Sequence, residues 1–315
     1  MKNGLKKRML PLFLPAIFLL SACGTSFAKN EIPVSVEAFF YPAEKDLTVP
    51  GLTGNYDILF LSDTHVIRLD GTEDGQMKEN ALPRTDMFRD DNGTASADNF
   101  PRWMDYAKHR NMDLILFGGD IIDFPSKSNI ALLKENLENQ TIPYVYVLGN
   151  HDWTYPWEYM TPVGEKEYRP LFEPFTGENT AVSLTDFGEF VVLAVDNSSN
   201  QVRPDAMPAA DQALTMGKPV IVMLHVPFST ETLLEKASVV WESPVSAGME
   251  DKGGFGMDEM TASLYQKICA EGSPVVCILA GHVHFADDSM LEGRIPQFVS
   301  GAGYENEAVI LHIHG

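Results

Sequence analysis

Residues 113–123 read Asp-Leu-Ile-Leu-Phe-Gly-Gly-Asp-Ile-Ile-Asp. An apolar run of strand length stops at two glycines, and two carboxylates, Asp120 and Asp123, follow at once. The same order recurs along the chain. The runs Tyr56–Ser62, Pro143–Gly149, Pro219–His225 and Pro274–Gly281 end in Asp63-Thr-His65, Gly149-Asn150-His151-Asp152, His225 and Gly281-His282-Val-His284. Five of the eight histidines fall in these islands. A further apolar run, Phe190–Asp196, ends in no such island. Between the runs lie helix-period stretches: Phe100, Trp103, Met104 and Ala107; Ile130, Leu133 and Leu137; and Met260, Leu264 and Ile268. Near-continuous apolar strands alternating with helices predict an α/β fold whose sheets are buried on both faces. In such folds ligands gather beyond the carboxyl ends of strands, where all five islands sit.

The residue types in the islands suit two divalent cations ~3.5–4 Å apart, a spacing that needs hard carboxylate and amide oxygens, neutral imidazoles and one shared ligand. Asp63, His65, Asp120, Asn150, His225, His282 and His284 supply such a set. Each alone has a plainer reading. Asp63 and Asp120 suit helix caps, Asn150 a turn, and His282 with His284 a polar strand rim. Their joint occurrence in this order is what points to metal. With only three cysteines and no C-x-x-C pair, a structural zinc knot is not expected.

These motifs (D-x-H, G-D-x-x-D, G-N-H-D, a lone strand-end His and G-H-x-H) resemble those of the calcineurin-like metallophosphoesterases over roughly residues 55–285. The resemblance implies two facing mixed sheets with helices outside, as a single catalytic domain over 31–315. It implies that Asp63, His65 and His284 hold one metal, that Asn150, His225 and His282 hold the other, and that Asp120 bridges them. It implies two divalent or trivalent ions (Mn, Fe or Zn) and hydrolysis of a phosphodiester or phosphomonoester by a metal-bound hydroxide. His151 would be the catalytic histidine without a metal, steadied by Asp152. Asp123 and Asp152 are read as carboxylates that orient ligands or His151, with surface capping the rival for Asp123. The segment Gly118-Gly-Asp-Ile-Ile-Asp-Phe124 lacks the tyrosine ligand of purple acid phosphatases, and His65 is present. Phe124-Pro125 stands where protein Ser/Thr phosphatases usually carry Arg-Gly. The alternative activities are those of a nucleotidase or nucleotide pyrophosphatase, or a metal-binding interaction module without catalysis.

Lys2, Lys6, Lys7 and Arg8 precede the apolar stretch Met9–Leu20, which ends in Leu20-Ser-Ala-Cys23-Gly24. This resembles a bacterial lipobox, so residues 1–22 read as a signal peptide cut before a lipidated Cys23, with a linker over 23–30. The expected location is extracytoplasmic, anchored to the cell membrane by multiple acyl chains on Cys23. Secretion with cleavage after Ala28, or an uncleaved anchor, are the rival readings. Removing residues 1–22 takes four basic and no acidic residues, moving the formal charge from −21 to −25. That surface disfavours nucleic acid and favours a small phosphoester. No protein partner is inferred.

Cys269 and Cys277 read as buried free thiols. Ala181–Thr185 and Phe190–Asp196 predict a hairpin, and the tail segments Ser289–Leu291, Gln297–Ser300 and Ala308–Ile313 a further meander. Residues 66–98 are polar and without periodicity, and residues 228–258 contain Trp241-Glu242 and Gly253-Gly254-Phe255-Gly256. They follow His65 and His225, which makes both candidate rims of the substrate pocket, with a plain solvent-exposed insertion the rival reading for the first.

Overall fold

The computed structural model describes residues 39–315 apart from 74, 139, 156 and 178. The signal segment 1–22, Cys23 and the linker 23–30 lie outside the described residues. The first sheet contains β1 (Tyr41–Thr48), β2 (Tyr56–Leu61), β3 (Leu114–Phe117), β4 (Tyr144–Tyr146) and β11 (Glu307–His314), ordered β1-β11-β2-β3-β4. The second contains β5 (Val182–Asp186), β6 (Val191–Val195), β7 (Val220–Met223), β8 (Val275–Ala280), β9 (Asp287–Leu291) and β10 (Ile295–Val299), ordered β5-β6-β7-β8-β10-β9. β2, β3 and β4 pair in parallel, as do β6, β7 and β8, while β11 runs antiparallel to β2 and β5 antiparallel to β6. Both sheets are mixed.

Period-two geometry explains why the strands are apolar throughout. In β2, Ile58 and Phe60 face a core between the sheets, with Leu114 and Leu116 from β3, Ile221 and Met223 from β7, and Cys277 and Leu279 from β8. Leu59 and Leu61 face outward onto Phe100, Trp103 and Ala107 of the helix Ser96–His109 and Leu133 and Leu137 of Lys127–Leu137. On the second sheet, Leu193 and Val222 face Ala210, Leu264 and Ile268 of the helices Met207–Thr215 and Glu259–Ile268. With both faces covered, a polar residue in these strands would lose its water. Emptying one core site, as in Phe60→Ala, would cost about 3–5 kcal/mol.

Three segments depart from the sequence reading. β11 does not continue a meander with β9 and β10; it crosses to the first sheet and inserts between β1 and β2. Its residues Ala308–Leu311 are all buried, with Ala308 and Ile310 packed on the helix side and Val309 and Leu311 in the inter-sheet core. Such a run suits a place inside either sheet, so only tertiary packing decides. β1 is an edge strand of mixed polarity and carries no apolar run to announce it. The polar stretch 66–98 holds the helix Gly75–Arg84, whose Met77 and Ala81 pack with Phe88 and Phe124. Cys277 is fully buried and Cys269 half-buried, and both are free thiols.

Candidate active site

The loops after β2, β3, β4, β7 and β8 converge, and their backbones are strained where they do. Asp63 (φ 55°), His65 (φ 41°), Asp120 (φ 52°), His282 (φ 74°) and His284 (φ 60°) all lie in the left-handed region, which costs non-glycine residues on the order of 1–2 kcal/mol each. Hydrogen bonds between loops hold these turns: Asp63 N–H donates to Gly119 O at 3.0 Å and His65 N–H to Asp120 O at 3.0 Å. The glycines of the motifs permit the approach. A Cβ on Gly149 would overlap Asp120 N and Oδ1, and one on Gly281 would overlap Ser62 Oγ and Asp63 Oδ2.

Two clusters of donor atoms result. In the first, His65 Nε2 and His284 Nε2 face each other at 3.0 Å, and Asp63 Oδ1 lies 3.5 Å from His284 Nε2 and 4.0 Å from His65 Nε2. In the second, His225 Nε2 lies 3.2 Å from Asp120 Oδ2, 3.1 Å from Asn150 Oδ1 and 3.2 Å from His282 Nδ1. Asp120 Oδ2 is also 3.8 Å from His65 Nε2, so this oxygen stands between the clusters.

Several observations fit these clusters to cations. Asp63 Oδ1 is buried without a hydrogen-bond partner, although an unsatisfied buried polar atom costs about 1–3 kcal/mol and a charged one more. Asp63 Oδ2, by contrast, accepts from Ser62 Oγ at 2.6 Å and His282 N–H at 2.9 Å. Around His225 Nε2, one proton would have to serve three acceptors. Moreover, His225 Nδ1 donates to Gly118 O at 2.8 Å, which leaves the Nε2 lone pair aimed into the cluster in the neutral ring. Without cations the ring charges: burial opposes it, but Asp120 and then Asp63 prevail and raise the pKa to about 9. Burial instead lowers His65 to about 4, and burial with the neighbouring His225 lowers His282 to about 3.

His151 stands beside the first cluster, its ring centroid 4.6 Å from that of His65, and with His65 and Asp123 it forms a third close group of donors. Its Nδ1 donates to the Asp123 carbonyl oxygen at 3.1 Å and lies 3.0 Å from Asp123 Oδ1, leaving Nε2 as the free nitrogen. Burial disfavours its charge, but Asp120 and Asp123 outweigh that and raise its pKa. The expectation that Asp152 steadies this histidine is corrected here. Asp152 turns the other way and accepts from the N–H groups of Gly149 (2.8 Å), Asp120 (3.1 Å) and Ile122 (3.1 Å) and from Tyr146 Oη (3.1 Å). At the third position of the short helix Asn150–Thr154 it reaches back to the preceding N–H, as helix-capping acids do. It organises the loops. The carboxylate beside His151 belongs to Asp123, which also accepts from His65 Nδ1 at 2.9 Å.

Residues 56–286 match the family model of the calcineurin-like phosphoesterases. The chain belongs to that family. It is 24% identical over 193 residues to a probable cyclic nucleotide phosphodiesterase of a Synechococcus species, an overlap covering 59% of this chain and 62% of that protein. Among solved structures it is similar to a dimetal phosphatase from Danio rerio (11% identity, 79% of this chain and 88% of that chain, TM-score 0.48). It is also similar to a phosphopantetheinyl hydrolase from Mycobacterium tuberculosis (14% identity, 79% and 90%, TM-score 0.42).

Over the clusters the chain opens a cavity of about 310 Å³ lined by Asp120, Asn150, His151, His282 and His284 at its base and by Trp157, Met160, Asn200, Trp241, Ser243, Pro244 and Val245 on its walls. Of the two candidate rims, 228–258 supplies wall residues and 66–98 supplies none. The latter braces the site from behind. Phe88 stacks on His65 at 4.3 Å between centroids, and Arg84 grips Asp123 with Nε at 2.5 Å from Oδ2 and Nη2 at 2.7 Å from Oδ1. Phe88 and Tyr155 flank the guanidinium at 4.8 and 4.3 Å. Sequence reading missed Arg84, Trp157 and Met160, because a lone Arg in a polar loop and an aromatic after a short helix carry no spacing signal.

Proposed function

We propose that the chain hydrolyses small phosphoesters, diesters or monoesters, with two divalent or trivalent cations (Mn, Fe or Zn). Asp63, His65 and His284 would hold one, Asn150, His225 and His282 the other, and Asp120 would be shared. The observation that carries this reading is the unpartnered, buried Asp63 Oδ1 facing two imidazole nitrogens, beside a second cluster that shares Asp120 Oδ2. When bound, such cations polarise the phosphoryl group and activate a water nucleophile. The protein's own residues do the rest. Asp123 fixes the His151 ring through Nδ1, so that Nε2 presents a proton to the departing oxygen. Asp152 and Gly149 hold the loop that carries Asn150 and His151 against Asp120.

The acidic chain, at −21, argues for small esters over nucleic acid. From the lipobox-like segment around Cys23 we further propose an extracytoplasmic, membrane-anchored protein. A panel of phosphomonoesters, diesters and nucleotides assayed with and without Mn²⁺ tests the activity: metal-dependent release of alcohol or phosphate is expected, and inertness toward every ester would refute it. Cys23→Ala should move the protein out of the membrane fraction with turnover intact; a variant that still fractionates with membrane refutes the anchor.

A further inference from the structure

The walls of the cavity carry five apolar side chains, two neutral polar ones (Asn200 and Ser243) and no cation. Trp157, Met160, Trp241, Pro244 and Val245 form the apolar wall, and among the described lining residues there is no Lys or Arg. Trp157 is 53% exposed and Met160 41%, so two large apolar side chains stand in solvent above a polar, metal-ligating floor. Trp157 meets the His151 ring edge-on at 4.9 Å, while Trp241 meets His284 edge-on at 5.6 Å. The indole of Trp241 is fixed, because Nε1 donates to Val283 O at 3.0 Å. Exposed aromatic surface beside reactive groups marks a place where a ligand's apolar part is covered. A second phosphate on the ligand would find no counter-charge there, in a chain of formal charge −21.

We propose that this wall binds the organic group of the ester, that the group is uncharged and aromatic or broadly apolar, and that Trp157 and Trp241 are the side chains that select it. The inference rests on the phosphoesterase reading for the position of the phosphoryl group. The indoles would stack on or flank a ring, whereas a methyl or glyceryl group would leave them wet.

Binding and turnover are measured separately on the full, metal-loaded chain. Calorimetry with phenylphosphonate and methylphosphonate should give a Kd about tenfold lower for the phenyl compound, the scale of partly burying one ring. Phenyl and methyl p-nitrophenyl phosphate share a leaving group, so their kcat/KM ratio should show the same preference. Trp157→Ala, at an exposed position that leaves the core intact, should reduce both ratios several-fold. Trp241→Phe should reduce them less, with metal content retained. Equal Kd values for the two phosphonates, or a ratio unmoved by Trp157→Ala, would overturn the proposal. Selective binding without hydrolysis would instead overturn the phosphoesterase reading and leave the wall's role standing.

Discussion

At Asp123 one carboxylate serves three partners, Arg84, His65 and His151, and the role proposed for His151 depends on how firmly that carboxylate is held. Arg84 is only 15% exposed at its side chain and holds Asp123 well below the usual carboxylate range. His151→Asn should therefore lower kcat by ~10²–10⁴-fold with both metals retained. The loss should be larger for alkyl esters than for p-nitrophenyl esters, whose leaving group departs without a proton. Equal losses would assign His151 to charge on the phosphoryl oxygens, and loss of a metal would make it a ligand. Arg84→Ala should act through the same histidine, so the double variant should be little worse than His151→Asn alone. A second prediction concerns His225. In the metal-free protein its pKa is raised to about 9, so it carries a proton at pH 7, while His65 and His282, at about 4 and 3, are already neutral. Ligation requires the neutral ring, so metal uptake at pH 7 should release about one proton from His225, and affinity should rise as pH climbs from 7 to 9. Calorimetry in buffers of different ionisation enthalpy measures this; a proton count of zero would contradict it.

Among the elements, the loops at the strand ends are the least tolerant parts of the molecule. A Cβ on Gly149 would meet backbone and carboxylate of Asp120 together, and no flexible side chain stands there to give way. Gly149→Ala should displace Asp120 and lower metal affinity at both clusters while the far side of the sheets keeps its far-UV signal. A variant with full metal content would show that these loops are not coupled as described. The strands and the ligand islands could be read from the chain because burial on both sheet faces forces an unbroken apolar run, and three of the five runs that lead into islands end in glycine. β11 and β1 were not legible in their pairing, since a strand buried on both faces fits the interior of either sheet and an edge strand needs no apolar face. The partner of His151 was misread for a related reason. Asp152 is adjacent in sequence, but residue 152 sits at the third helical position and must turn back to the loop N–H groups, whereas Asp123 arrives from the neighbouring strand's loop. Arg84 lies on an inserted helix whose docking is purely tertiary.

For the whole molecule, the site draws donor side chains from both sheets: Asp63, Asp120 and Asn150 follow strands of the first, and His225, His282 and His284 follow strands of the second. Cations bound across that seam would tie the two sheets together in addition to the inter-sheet core. Folding stability should thus be linked to metal, by about 2.7 kcal/mol at a free metal concentration a hundredfold above Kd. A chelator should lower Tm and Mn²⁺ should restore it. The proposed hydrolysis, however, requires above all that one chain carry two metals acting together. Metal analysis of the purified, active full chain, titrated with chelator and then with Mn²⁺ while ester turnover is followed, tests it most directly. Close to two ions per chain are expected, with activity that vanishes and returns with them; full activity with one ion or none would refute two-metal hydrolysis.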